Sequence, residues 1–174
     1  MTERRVRIRA PRVRDEAAFL EAVARSRELH RPWVHPPTDS KSFRDYVAAA
    51  RSPAFRPYLV CLREDDELVG VVNASEIVRG CFQSAYLGFY AFVPFAGKGL
   101  MAEGLRLVLR ELFRREKLHR VEANIQPDNR ASRELVRRLR FRREGYSPCY
   151  LKIGGRWRDH ERWALLAEEW KVAR

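Results

Sequence analysis

The chain predicts an α/β fold in one domain, a mixed central β-sheet with helices on its faces. Three observations carry this expectation. Segments of strand period and helix period follow one another in the order βααβββαβαββ. One segment, Lys98 to Glu116, is a clear amphipathic helix, with Leu105, Val108, Leu109 and Leu112 at i, i+3, i+4 and i+7. Two compact turns, EDDE at Glu64–Glu67 and Gly154-Gly155, join neighbouring strand segments as hairpins. With 174 residues, 45% of them hydrophobic, the chain can bury a sizeable core. No repeat or low-complexity linker divides residues 1–174.

Each element has its own signal. Val6 to Arg9 alternates apolar and basic residues as a short strand. Asp15 to Leu29 reads as one amphipathic helix with Ala18, Phe19, Ala22 and Val23 on a common face. RPWVHPP, Arg31 to Pro37, is irregular, because its three prolines cannot continue a helix. Ser40 or Ser42 caps a second helix that runs to Arg51. Pro57 to Arg63, Leu68 to Val78 and Gln83 to Val93 are strands. After the long helix, His119 to Ile125 is a strand and Arg130 to Leu139 a short helix. Phe141 to Ile153 and Arg156 to Leu166 form the closing hairpin.

Composition narrows the function. Thirty-five Lys and Arg stand against 23 Asp and Glu, a net charge of +12. That balance suits polyanionic surroundings such as RNA, ribosomes or a phosphorylated cofactor, or else ordinary solvated helix faces in an Arg-rich chain. The dispersed Cys61, Cys81 and Cys149 form no disulfide framework and suit a reducing cytoplasm. His30, His35, His119 and His160 lack the spacing of a metal site, so no metal is expected. Nothing at the start resembles a signal peptide, and no run approaches a membrane span.

The stretch AFVPFAGKGLM, Ala91 to Met101, carries the most chemistry. It runs from a strand through two glycines one residue apart into the long helix. Glycines there can adopt φ > 0 and bare their N–H groups, and a helix start favours an anion. A nucleotide, a sugar phosphate or a pyrophosphate would fit. The Walker loop, the third glycine of a dinucleotide fingerprint and a Gly-x-Ser-x-Gly elbow are all missing. Pyrophosphate held by backbone donors remains.

GFYAFVPFAGKGLMAEGL, then HRVEANIQPDNRASRELVRRLRF, then EGY and GGRWRDHERWAL resemble the GNAT acetyltransferases. Among these they are most similar to the ribosomal-protein N-terminal alanine acetyltransferases of the RimJ and RimL type. The resemblance covers nearly the whole chain, RELHRPW included. It implies a sheet splayed at strands 4 and 5, with acetyl-CoA as co-substrate in the gap. The pantetheine arm would pair with the backbone of Phe92 and Val93. The pyrophosphate would sit on N–H groups of Ala96, Gly97, Lys98, Gly99, Leu100 and Met101. Two departures stand out: Pro94 where relatives carry Gln or Arg, and Arg140 at the glycine of a usual Leu-Gly-Phe.

The same resemblance implies site roles. Asn129 would bond the pantetheine amide, or simply cap its helix. Ser132 would stabilise or protonate the departing thiolate, since the position of a frequent acid tyrosine holds Val136. Tyr146 is a second candidate acid. The base is open: a position that carries glutamate in some relatives is Asn124, and Glu122 lies on the face opposite Val121 and Ala123. A backbone N–H near Val93 could serve as oxyanion donor. Glu103 reads as a structural partner in the long helix. His30, His35 and Asp39 fall in the expected peptide-binding loop, where each also reads as an ordinary loop residue. Trp33, Trp157, Tyr146 and Tyr150 could line a cleft or pack in the core. Seven arginines in fourteen residues, Arg130 to Arg143, form a basic block that is either a solvated face or a contact for cofactor phosphate and ribosomal RNA.

The reading that follows is an acetyl-CoA-dependent N-acetyltransferase acting on a protein N-terminus, as monomer or homodimer, in the cytoplasm and off the membrane. A second is an acetyltransferase for a small amine such as a polyamine or an aminoglycoside, against which the charge of +12 weighs. A third is a non-catalytic, ribosome-associated RNA-binding module.

Overall fold

The computed structural model describes residues 5–172. Its strands are β1 (Val6–Arg9), β2 (Arg56–Leu62), β3 (Leu68–Val78), β4 (Ser84–Ala91), β5 (Arg120–Ile125), β6 (Arg142–Ile153) and β7 (Arg156–Leu166). They form one sheet in the order β1-β2-β3-β4-β5-β7-β6. Every neighbouring pair is antiparallel except β4 and β5, which run parallel. Their pairing is short. Ser84, Ala85 and Tyr86 face Arg120, Val121 and Glu122, and then the strands part. β4 continues to Ala91 on β3 alone, and β5 continues to Ile125 on β7 alone. A wedge-shaped gap therefore opens toward the carboxyl ends of the parallel pair.

Side-chain alternation gives each face of the sheet its own core. On one face, α1 (Glu16–Arg25) and α3 (Ser40–Ala49) bring Phe19, Ala22, Val23 and Phe43 against Leu59, Cys61, Val71, Tyr90 and Phe92. On the other, α4 (Leu100–Arg114) and α5 (Arg130–Arg138) bury Leu105, Val108, Leu109, Leu112 and Val136 with Val60, Val69, Val72, Val121 and Ala123. The helical stripe expected on α4 is the stripe that is buried. Gly104 permits its close seat on β2, since a Cβ there would lie 2.6 Å from Val60 Cγ1. Because α4 and α5 each follow one strand of the parallel pair on the same face, both helices start beside the gap.

Four details depart from the expectations. The first helix is not continuous: it breaks at Ser26 into α1 and a single turn, α2 (Arg27–His30). Ser26 Oγ–H turns back to the Ala22 carbonyl at 2.7 Å, the competition with helical bonding that bends helices at serine. Asp39, rather than Ser40 or Ser42, caps α3, with its carboxylate accepting from Ser42 N–H at 2.8 Å. A short α6 (Ala167–Val172) follows β7 where no helix was expected. Finally, Arg140 adopts φ +67 just after α5, while Phe141 N–H closes on the Val136 carbonyl at 3.0 Å. That left-handed closure is why the resembling sequences place glycine there. The three cysteines are free thiols, and no helix among the described residues is long and apolar enough to cross a membrane.

Candidate active site

The loop from Phe92 to Gly99 forms one wall of the gap. Phe95 N–H bonds the Phe92 carbonyl at 2.9 Å, and Gly97 and Gly99 both take φ +78. Gly99 is the residue from which α4 starts. Among the described residues, the N–H groups of Ala96, Gly97, Gly99, Leu100 and Met101 donate to no backbone acceptor. The space beside the two glycines is open: a Cβ on Gly97 would meet nothing within 4 Å, and one on Gly99 only an Arg5 nitrogen at 3.6 Å. The glycines are there for their φ, and the cleared space with its unpaired donors fits a diphosphate. Lys98 lies exposed beside them, its ammonium 5.8 Å from the Phe95 ring centre. Lys98 N–H is engaged with the Phe95 carbonyl at 3.4 Å. Glu103 is held by the Arg5 guanidinium, which makes it a structural partner.

The β4 lip of the gap is specified by hydrogen-bond parity. Phe92 N–H donates to the Val69 carbonyl at 2.8 Å, so Phe92 faces β3. Alternation along an antiparallel ladder then turns the backbone groups of Phe89 and Ala91 toward the gap. Two side chains from the α1–α2 break meet this edge. Ser26 Oγ accepts from Val93 N–H at 3.0 Å, and His30 Nε2–H donates to the Ala91 carbonyl at 2.9 Å. The Phe92 and Val93 N–H groups, expected to pair with a pantetheine arm or to serve an oxyanion, are thus already engaged. The backbone left for a strand-like arm is that of Phe89 and the N–H of Ala91. His30 is not a loop residue but a buried one, and burial lowers its pKa below 6.5.

The β5 lip carries Glu122, Asn124 and the start of α5. Glu122 stands on the last paired rung with its carboxylate on Arg120 Nε at 2.9 Å. Asn124 lies in the half of β5 that pairs with β7 but no longer with β4, and its buried side-chain oxygen has no partner among the described residues. Asn129 caps α5, its oxygen accepting from Ser132 N–H at 3.1 Å. That bond holds Ser132 at the first turn, half-buried, with its hydroxyl bonded to nothing among the described residues. Val136 is fully buried one turn later. Tyr146, on β6 at the level of Ile125, is about half exposed and donates its phenol to Asp159, which raises its pKa. Asp159 also receives Cys149 N–H at 2.8 Å and so anchors the irregular middle of β6.

Around this centre, His35 comes close to the β6–β7 turn, where a Cβ on Gly154 would lie 2.7 Å from His35 Nε2. Trp157 projects into solvent from the same hairpin, while Trp33 and Tyr150 are half-buried. None of the four aromatics is a core residue. Five of the seven arginines of the basic block pair within the chain: Arg137 and Arg138 with Glu134, Arg133 and Arg143 with buried Glu161, and Arg142 with Glu144 and Glu169. Ser26 is the site residue that sequence reasoning passed over. Its signal was a polar residue interrupting the apolar face of the first helix.

The family profile described as an acetyltransferase (GNAT) domain matches residues 5–142. The chain belongs to the GNAT acetyltransferase family. The chain is 42% identical over 111 residues to the ribosomal protein uS5-alanine N-acetyltransferase of Escherichia coli K12, covering 64% of this chain and 57% of that protein. It thus spans little more than half the length of the curated relatives it matches first. A solved structure of Mycobacterium smegmatis RimJ in complex with CoA-disulfide is 30% identical, with a TM-score of 0.86 over 94% of this chain and 83% of that one. The GNAT fold is shared as well with spermidine N-acetyltransferase from Vibrio cholerae, solved with CoA and spermine, at 20% identity and a TM-score of 0.82 over 97% and 99% of the two chains.

Proposed function

We propose that this GNAT protein transfers the acetyl group of acetyl-CoA to a protein N-terminal α-amine, that of an N-terminal alanine on a ribosomal protein. The observation that carries this reading is the parting of β4 from β5 after Tyr86 and Glu122, with the free donors of Ala96, Gly97, Gly99, Leu100 and Met101 at its open end. Similarity to RimJ and to the uS5-alanine enzyme supports the acceptor class, and the charge of +12 suits work beside ribosomal RNA better than capture of a polycation.

The thioester supplies an activated acyl carbon; the chain supplies everything else. The loop donors would hold the diphosphate, and the open edge at Phe89 and Ala91 would align the arm beside the gap. An α-amine has a pKa of about 8, so a substantial fraction is already neutral near pH 7.5. The acceptor then needs positioning and a modest base rather than the strong activation a lysine would demand. Ser132, fixed by the Asn129 cap and free at its hydroxyl, is placed by our reading next to the departing sulfur as hydrogen-bond donor. The test is release of free thiol from acetyl-CoA in the presence of peptides that begin with alanine, serine or methionine, with spermidine in a parallel arm. Turnover with the alanine peptide supports the reading; turnover with spermidine alone replaces it with the small-amine reading.

A further inference from the structure

Gly88 lies in the middle of β4, and glycine weakens a strand interior unless a bulge, a close backbone or a ligand needs it there. The first two reasons are absent. The ladder with β3 runs without a shift from Tyr86 to Ala91, with Gly88 opposite Asn73. A Cβ on Gly88 would meet nothing within 4 Å among the described residues. Its φ is not positive either, so any L-residue could stand there. Gly88 is nevertheless exposed in a central strand. By alternation its missing side chain faces the way of Tyr90 and Phe92, toward the α1 and α3 side of the sheet. The space above it is framed. Tyr90 packs against His30 and Phe92 at one end, with ring centroids at 5.1 and 5.7 Å. At the other end Tyr150 of β6 meets the Tyr86 phenol and raises its pKa. β5 and β7 lie between those two strands, so this contact arches over the sheet face. On the β3 side, Asn73 already accepts from the Tyr46 hydroxyl at 2.7 Å. On the opposite side β5 has parted from β4, so Gly88 stands beside the gap.

We propose that Gly88 is a specificity-determining residue: the open space above it takes the side chain of the acceptor's first residue and limits it to a small one. The proposal rests on the acetyl-transfer reading above. That reading lays the arm along Phe89 and Ala91, and Gly88 stands between Phe89 and the last rung that β4 shares with β5. The acceptor nitrogen must meet the acyl carbon at this gap, and the first side chain branches from the carbon bonded to that nitrogen. α4 and α5 fill the far face of the sheet, so the acceptor comes from the face on which Gly88 is bare. The frame of rings and an amide already in use suits a methyl or hydroxymethyl group better than a charge. Tyr86 and Tyr90 are four residues apart, about 13 Å along the strand. Their side chains occupy part of that length, which leaves a pit one short side chain wide.

The test adds the missing carbons. Gly88→Ala and Gly88→Val meet neither a clash nor backbone strain, so both should equal or exceed the wild type in thermal stability. Their affinity for CoA, read by calorimetry, should be that of the wild type. The acceptors are peptides identical except for a first residue of glycine, alanine or leucine, each assayed with acetyl-CoA. The wild type should turn over the glycine and alanine peptides and reject the leucine peptide. In Gly88→Ala the kcat/KM ratio of alanine to glycine peptide should fall about 10-fold or more, the cost of one carbon too many in a pocket. Gly88→Val should lower it further. Calorimetric titration of the CoA-loaded proteins with the same peptides should give the same order without turnover. An unchanged alanine-to-glycine ratio in both variants, a fall in CoA affinity, or a marked loss of stability in Gly88→Ala would overturn the proposal. Turnover of spermidine alone by the wild type, or of neither amine, would instead remove the protein-acceptor reading, and this inference with it.

Discussion

Gly99→Ala tests the diphosphate cradle with the smallest possible perturbation. Gly99 sits at φ +78 and a Cβ there meets only an Arg5 nitrogen at 3.6 Å, so no clash arises and the cost is conformational. Holding an L-residue in the left-handed region costs about 1–2 kcal/mol. The chain can lower that cost by rotating the peptide between Gly99 and Leu100, which swings the first donors of α4 away from the open space. Each hydrogen bond to a charged group contributes about 1.5–3 kcal/mol. Loss of one donor therefore weakens CoA binding about 10- to 150-fold, at 1.4 kcal/mol per decade. Gly80→Ala is the matched control: Gly80 has φ +67 and open surroundings in the β3–β4 turn, away from the loop. Calorimetric titration with CoA and thermal unfolding should show similar stability losses in both variants and weakened CoA binding in Gly99→Ala alone. Equal stability losses with wild-type CoA affinity in both would refute the cradle.

Three further outcomes follow from the same geometry. Ser132→Ala should lower kcat about 100-fold while leaving CoA affinity and folding intact, whereas Asn129→Ala should lower stability by about 1 kcal/mol through the lost cap and weaken acetyl-CoA binding. Chemical denaturation should show Arg140→Gly more stable than wild type by about 1 kcal/mol, because glycine relieves the φ of +67 after α5. His30 and His160 both have pKa values lowered by burial, so the unfolded chain binds more protons than the folded one once the pH drops below about 6.5. Stability should therefore be complete above that value and decline as the pH falls through it, and His160→Gln should flatten part of the decline in thermal scans.

The sequence was most legible where one local pattern sufficed. Every predicted strand is present within one or two residues, because alternation and the glycine and acidic turns specify them without help from the rest of the chain. The apolar stripe of α4 and the left-handed glycines before it were equally readable. Tertiary contacts settled the remainder. Ser26 breaks a helix that its apolar period alone would continue, because its hydroxyl reaches both Ala22 and Val93. His30 looked like loop chemistry, yet its partner is a carbonyl on a strand 61 residues away. The local pairs of the arginine block with Glu134 and Glu144 lie within reach along the chain, but its distant pairs gave no sign, since Glu161 and Glu169 approach it from β7 and α6. Which backbone groups of β4 face the gap depends on ladder parity, which the expectation centred on Phe92 and Val93 could not supply.

In the function proposed above, this gap binds acetyl-CoA and delivers its acetyl group to an N-terminal α-amine. Mass spectrometry of an alanine-initiated ribosomal-protein peptide, incubated with acetyl-CoA and the purified chain, tests it most directly. One added acetyl group is expected, located on the α-amine by fragmentation, and none on an otherwise identical peptide whose α-amine is blocked and whose lysines are free. Acetylation of internal lysines alone, or an unmodified peptide while spermidine is consumed, would contradict it.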